Sequence, residues 1–323
     1  MATRARQRVV DLKMVSAMVH AIEENIHWVL AGKDEVARLA ITAMLAEGHI
    51  LIEDVPGVGK TLLAKSLATS IDCSVSRIQF TPDLLPSDVT GVTVYTPDTG
   101  EFEFTPGPIF ANIVLGDEIN RAGPKTQSAL LESMEERGVT IDGVTHELAI
   151  PYMVIATQNP IELEGTYPLP EAQRDRFLMR LRIGYPDVES ELEILHTHGR
   201  GDPLSELEPV TDATTVAAAI ETVRNVAITE PMERYLIDIC RTTREHPDVE
   251  LGASPRASLA MLRAARAWAA TADRDYVIPD DAKRLAPHVL PHRLILRPEA
   301  ELSGRTAAAV IADVLSMVPV PTE

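Results

Sequence analysis

The chemistry of this chain concentrates first in Pro56-Gly57-Val58-Gly59-Lys60-Thr61-Leu62, a glycine-bearing run between an apolar strand-like segment and a helical pattern. Glycines there let backbone N–H groups curl round phosphate oxygens, Lys60 brings a point charge to β- and γ-phosphates, and Thr61 offers a hydroxyl to Mg²⁺. The full pattern GxxxxGKT would carry glycine at position 54, where this chain has Asp54. Gly57, Gly59, Lys60 and Thr61 nevertheless stand in the strand-loop-helix context that phosphate binding needs.

Further along, Ile113-Val114-Leu115-Gly116-Asp117-Glu118 is an apolar strand pattern ending in two carboxylates. Parallel sheets bind ligands outside the carboxyl ends of their strands, so the acids are expected beside the phosphate site. Asp117 would hold Mg²⁺ through water, and Glu118 would orient and polarise the attacking water. A third strand pattern, Met153–Thr157, ends in Gln158-Asn159-Pro160, and an amide at that edge can bond the γ-phosphate or the water; a turn-forming Asn before Pro is the plain alternative. The run Glu171–Phe177 then brings Arg174 and Arg176 to the end of a short helix.

These residues need a scaffold, and the patterning supplies one. From His49 to Gly184 short apolar runs alternate with helical stretches, which implies a parallel sheet covered on both faces. Two stretches interrupt it as hairpins: VTVYTPDTGEFEF, and GVTIDGVTHELAI with its turn at Asp142-Gly143. After Pro186 the pattern is helical only. The expected organisation is an N-terminal amphipathic helix over 1–24, an α/β nucleotide-binding domain over 25–190, a linker over 191–206 and a helical domain over 207–323.

Taken in order, EDVPGVGKT, LGDEINRAGPKTQSALLESMEER, ATQNP, LPEAQRDRF and GASPRA make the chain resemble AAA+ ATPases, and among them the MoxR type, over about residues 27 to 297. The resemblance implies a sheet of strand order 5-1-4-3-2 with inserted β-hairpins, an all-α lid, and a ring of about six subunits with ATP and Mg²⁺ between neighbours. It casts Lys60 and Thr61 as Walker A residues, Asp117 and Glu118 as Walker B, Asn159 as sensor 1 and Arg256 as sensor 2. Arg176 matches the arginine finger acting on a neighbour's nucleotide, although the family usually has leucine where Arg174 stands. Ala31-Gly32 lies where the family's backbone packs against adenine. Because the 92–104 hairpin corresponds to an insertion that can displace the lid, Arg256 is left open to its own nucleotide or a neighbour's.

Composition narrows the work such a ring does. The chain has 323 residues, 45% hydrophobic and 4% aromatic, enough for an aliphatic, alanine-rich core. Lys+Arg 30 against Asp+Glu 48 leaves a net charge of −18, which repels phosphate backbones and anionic lipid. The hairpins carry Asp98, Glu101, Glu103, Asp142 and Glu147 with only His146 on the basic side, unlike loops that grip nucleic acid. Cys73 and Cys240 form no framework or CxxC pair, no apolar run is long enough to span a membrane, and the chain reads as cytoplasmic. The leading expectation is a Mg²⁺-dependent ATPase remodelling protein clients. By resemblance this is chaperone-like metal or cofactor insertion beside a partner with a von Willebrand factor A domain. A nucleic-acid motor and a non-hydrolysing scaffold are the alternatives, the latter opposed by Glu118, Asn159 and Arg176.

Overall fold

A computed structural model describes residues 10–98, 100–159, 166–199 and 201–321. Residues 1–9 of the expected N-terminal helix, Pro160, Arg200 and the last two residues lie outside that set. Five parallel strands form the central sheet: β1 (Ile50–Glu53), β2 (Val75–Gln79), β3 (Ile113–Asp117), β4 (Met153–Gln158) and β5 (Met179–Leu181). Their spatial order is β5-β1-β4-β3-β2, as the resemblance implies. Alternation along each strand feeds two separate cores. Ile50 and Ile52, Ile113 and Leu115, and Met153 and Ile155 face one apolar cluster, while Leu51, Val114, Val154 and Ala156 face another.

The first cluster continues without a break into the helical part of the chain, joining Ile22, Ile41, Leu236, Ala264 and Leu285 to the sheet. The helix at its start, Leu12–Val29, is capped by Asp11, whose carboxylate accepts from Met14 N at 2.8 Å. It runs past residue 24 because the apolar stripe Val15, Val19, Ile22, Ile26 and Val29 continues to its end. Helix Pro255–Thr271 buries Ala257, Ala264, Ala267 and Ala270, small side chains that let neighbours approach closely. The guanidiniums of Arg38 and Arg284 lie 6.0 and 5.2 Å from the Trp268 ring centroid, a pair of cation–π contacts.

Two details differ from the sequence expectations. The C-terminal domain is helical but not wholly so, since Val249–Leu251 pairs antiparallel with Ile295–Leu296. Residues 191–198, expected in a linker, belong to helix Val188–His198, where Asp187 accepts from Ser190 N at 2.8 Å and fixes the first turn.

Both hairpins are present, Gly91–Thr96 with Glu101–Pro106 and Gly138–Ile141 with Val144–Glu147. Asp142 and Gly143 have φ of 50° and 80°, the left-handed pair a two-residue turn demands. The hairpins dock on each other: Phe104 stacks on His146 with centroids 4.1 Å apart, and Thr93 Oγ1 donates to Asp142 at 2.7 Å. Tyr95 and Phe102 pair at the outer end, with Phe102 72% exposed.

His49, at the start of β1, ties three segments. Its Nδ1 accepts from Val154 N at 2.9 Å, so Nε2–H donates to the Met134 carbonyl at 3.1 Å. Burial, with a lesser push from Arg137 against the Met134 carbonyl, lowers its pKa from 6.5 to about 4. Between those values the unfolded chain binds a proton that the folded chain refuses. Stability from this group is therefore complete above pH 6.5 and is lost as pH falls toward 4, by on the order of 3 kcal/mol. Urea midpoints measured from pH 7 to pH 4.5 should fall more steeply for the native chain than for His49→Gln, whose amide does not titrate in this range. Parallel slopes would contradict the assignment.

Candidate nucleotide site

The carboxyl ends of the strands gather the chemistry on one edge of the sheet. After β1 the chain turns through the phosphate loop, and helix Lys60–Ser70 begins directly at Lys60. Gly59 has φ +97°, a conformation that favours glycine, and a Cβ there would come within 2.4 Å of Leu30 Cδ1. That contact also brings the turn Leu30-Ala31-Gly32 against the loop. Helix Val188–His198 covers the turn from the other side: His198 Nε2 meets the Val29 carbonyl at 3.1 Å, and Lys33 Nζ donates to the Tyr185 carbonyl at 2.9 Å.

Lys60 Nζ donates to the Asp54 carbonyl at 2.5 Å. Burial lowers its pKa, and the carboxylates of Asp54, Asp117 and Glu118 act in the opposite sense. The lysine is thus the positive centre of an acidic pocket. Thr61 follows it on the helix, and Asp117 ends β3 with Thr157 Oγ1 donating to Asp117 Oδ1 at 2.7 Å. The same hydroxyl accepts from Glu118 N at 2.9 Å. Glu118 sits at φ +58°, a left-handed conformation that costs a non-glycine residue energy and gathers at functional sites. Its Oε2 accepts from Gln79 Nε2 at 2.8 Å and Arg121 Nη1 at 2.9 Å. Arg77 donates to Asp117 Oδ2 at 2.6 Å through Nη2 and 3.1 Å through Nε. Asn159 is buried just beyond β4.

The donor set fits Mg²⁺, which takes hard oxygen ligands and keeps waters or phosphates in its octahedron. Thr61 and Asp117 would supply such oxygens, and no cluster of three His, Cys, Asp or Glu side chains able to hold a metal exists among the described residues. A metal here would rely on nucleotide phosphates for the rest. Pro56 through Leu62, with Ala31 and Gly32 in the turn packed against the loop, are the residues that would hold the nucleotide.

Arg176 and Arg256 are not part of this edge. Arg176 lies just before β5, at the amino end of the sheet, where Nη2 reaches Glu135 Oε2 at 3.1 Å. Arg256, at the start of helix Pro255–Thr271, pairs with the other oxygen of the same carboxylate. Glu135 belongs to helix Pro124–Glu136, which returns from the carboxyl edge. Both arginines line a cavity of about 300 Å³, a strand length or ~15 Å from the phosphate loop. Arg174 instead faces Glu171 on its own helix at 3.8 Å. Buried Arg293 fastens this segment, binding the Asp175 carboxylate at 2.7 Å and the Phe177 and Leu178 carbonyls at 2.7 and 3.1 Å.

Sequence reading did not find Thr157, Arg77, Gln79, Arg121, Glu135 or Arg293. Thr157 gave a weak signal, a polar residue closing an apolar strand. Arg77 and Gln79 become visible only through register, since Gln79 pairs with Asp117 and Arg77 with Leu115 on the same face.

A five-stranded parallel sheet of this order, with a phosphate loop after its first strand and an acid pair after its third, defines an AAA+ nucleotide-binding protein. Residues 49–179 match the model of the ATPase family associated with various cellular activities, and residues 241–314 match an AAA lid domain. The chain is 54% identical over 300 residues to the uncharacterized protein YeaC of Bacillus subtilis, covering 93% of this chain and 94% of that one. It is 41% identical over 319 residues to the chaperone MoxR1 of Mycobacterium tuberculosis, covering 95% and 84%. The crystal structure of a protein from Cytophaga hutchinsonii superposes with a TM-score of 0.90 at 39% identity, covering 96% and 97%. The chain belongs to the MoxR family of AAA+ ATPases.

Proposed function

We propose that the chain hydrolyses ATP with Mg²⁺ in a ring of about six copies, each site being completed by the next copy, and that the ring remodels protein clients. The observation that carries this reading is the division of the arginines from the phosphate loop. Arg176 and Arg256 share Glu135 on the edge opposite Lys60, so within one copy neither would reach the nucleotide seat, whereas both, on leaving Glu135, would meet the γ-phosphate of a neighbouring copy. Lys60 and the loop amides would hold the phosphates, Thr61 and Asp117 the Mg²⁺, and Asn159 the γ-phosphate or water. Glu118 would take up the water's proton after leaving Gln79 and Arg121. Mg²⁺ would neutralise the phosphate charge as it develops.

Charge favours a protein client over nucleic acid, because the net charge is −18 and the hairpins are acidic. The exposed Tyr95 and Phe102 offer an aromatic grip, while Phe104 is engaged against His146. Among the described residues no helix is long and apolar enough to cross a membrane, in keeping with a cytoplasmic setting. The chaperone name of the mycobacterial relative supports work on protein clients. Metal or cofactor insertion beside a partner with a von Willebrand factor A domain is the finer form of the same proposal.

Glu118→Gln should bind ATP and release phosphate at least ~10²-fold more slowly than the native chain, since an amide cannot accept the water's proton. Affinity capture with that variant in ATP should retain client proteins that the native ring lets go. Equal phosphate release by the two proteins would remove Glu118 from the chemistry.

A further inference from the structure

Asp54 stands where a phosphate loop would carry glycine, and the nucleotide chemistry above gives its side chain no task. The structure gives it three partners. Oδ1 accepts from Val55 N at 2.8 Å, in the first peptide of the loop. Oδ2 accepts from Ile183 N at 2.8 Å and Gly184 N at 2.7 Å, where the chain leaves β5 for the helical domain. The residue's backbone adds two more ties, its N–H to the Gln158 carbonyl at 3.3 Å and its carbonyl to the Lys60 ammonium at 2.5 Å. Position 54 therefore joins the loop, the loop's lysine, the end of β4 and the exit of β5.

That exit leads back to the same cleft. Gly184, at φ +68°, turns the chain into Tyr185-Pro186-Asp187, and Asp187 caps helix Val188–His198. Ser190 in the first turn of that helix lies against Gly32 so closely that a Cβ on Gly32 would meet Ser190 Oγ at 2.0 Å. The path runs from phosphate loop to Asp54, to the strand exit, to the helix, to the turn expected to seat adenine. A glycine at position 54 would leave the Ile183 and Gly184 amides without this acceptor.

We propose that Asp54 is a positioning residue that fastens the phosphate loop to the joint entering the helical domain, so that the seats of the triphosphate and the base hold one spacing. The proposal rests on the ATPase reading. In it, transfer of the Lys60 ammonium from the Asp54 carbonyl to a phosphate alters the same residue that holds Ile183 and Gly184, and nucleotide occupancy is felt at the joint.

The test compares the native full-length chain with Asp54→Gly, which restores the formal glycine pattern, and Asp54→Asn, which keeps one acceptor oxygen. Amide hydrogen exchange at Ile183 and Gly184 and the steady-state KM and kcat for ATP are measured for each. Asp54→Gly should raise KM about 10-fold or more while changing kcat much less, and the two amides should exchange at least ~10-fold faster. Asp54→Asn should fall between the two. In the native chain, ATP should change exchange at Ile183 and Gly184. A KM within about twofold of native in Asp54→Gly, with unchanged exchange at these amides, would overturn the proposal. If Asp54→Gly does not fold, Asp54→Asn and the native response to ATP decide by the same criteria. Should the native chain fail to bind ATP at all, the ATPase reading falls, and the exchange of the two amides still shows whether Asp54 holds the joint.

Discussion

Lys60→Ala is expected to abolish ATP binding at concentrations that saturate the native chain. The ammonium sits among Asp54, Asp117 and Glu118, so its removal does more than delete a hydrogen bond. It leaves a triphosphate beside the Asp117 and Glu118 carboxylates, opposed by the loop amides, the metal and the guanidiniums of Arg77 and Arg121, which are already engaged with those acids. Losing charge-assisted bonds alone corresponds to about 3 kcal/mol, roughly 100-fold in affinity, and the repulsion adds to that. Titration of a fluorescent ATP analogue reads the loss. Melting without nucleotide checks that the variant folds, and the native chain alone should gain thermal stability on adding ATP and Mg²⁺. Binding by Lys60→Ala within about threefold of native would contradict the placement of the triphosphate.

The parts of this molecule legible in its sequence are those fixed by local pattern. Strand alternation separates Ile50 and Ile52 from Leu51, and the same period sorts β3 and β4 onto the two cores. The Asp142-Gly143 turn carried its own conformational demand. What local pattern could not show were pairings between distant segments. Arg176, Arg256 and Glu135 meet only because the fold brings the end of helix Pro124–Glu136 near the start of helix Pro255–Thr271, a relation with no fixed sequence spacing. Asp54 looked like a defect in a motif because the motif describes only groups facing phosphate, whereas its carboxylate faces the β5 exit. The stacking of Phe104 on His146, from a separate hairpin, likewise has no local signature.

The other large effect is expected at Arg176. Arg176→Ala should leave ATP binding within a few-fold of native while lowering turnover by ~10³-fold or more, the scale of an arginine supplied to a phosphoryl-transfer site from a neighbour. Its own phosphate loop lies on the far edge of the sheet, and the Arg293 anchor through Asp175 and Phe177 holds it there. Arg174→Ala, at a residue turned toward Glu171, should have the smaller consequence. With the loop and the arginines on opposite edges, the proposed active site is composite, and mixing variant chains tests this. Chains carrying Lys60→Ala retain the arginines, chains carrying Arg176→Ala retain the nucleotide seat, and each preparation alone should be inactive. Phosphate release is measured after the two are disassembled, combined in equal amounts and allowed to assemble. Recovery to a substantial fraction of native activity is the expected result, whereas verified mixed assemblies that stay as inactive as either parent would contradict the account.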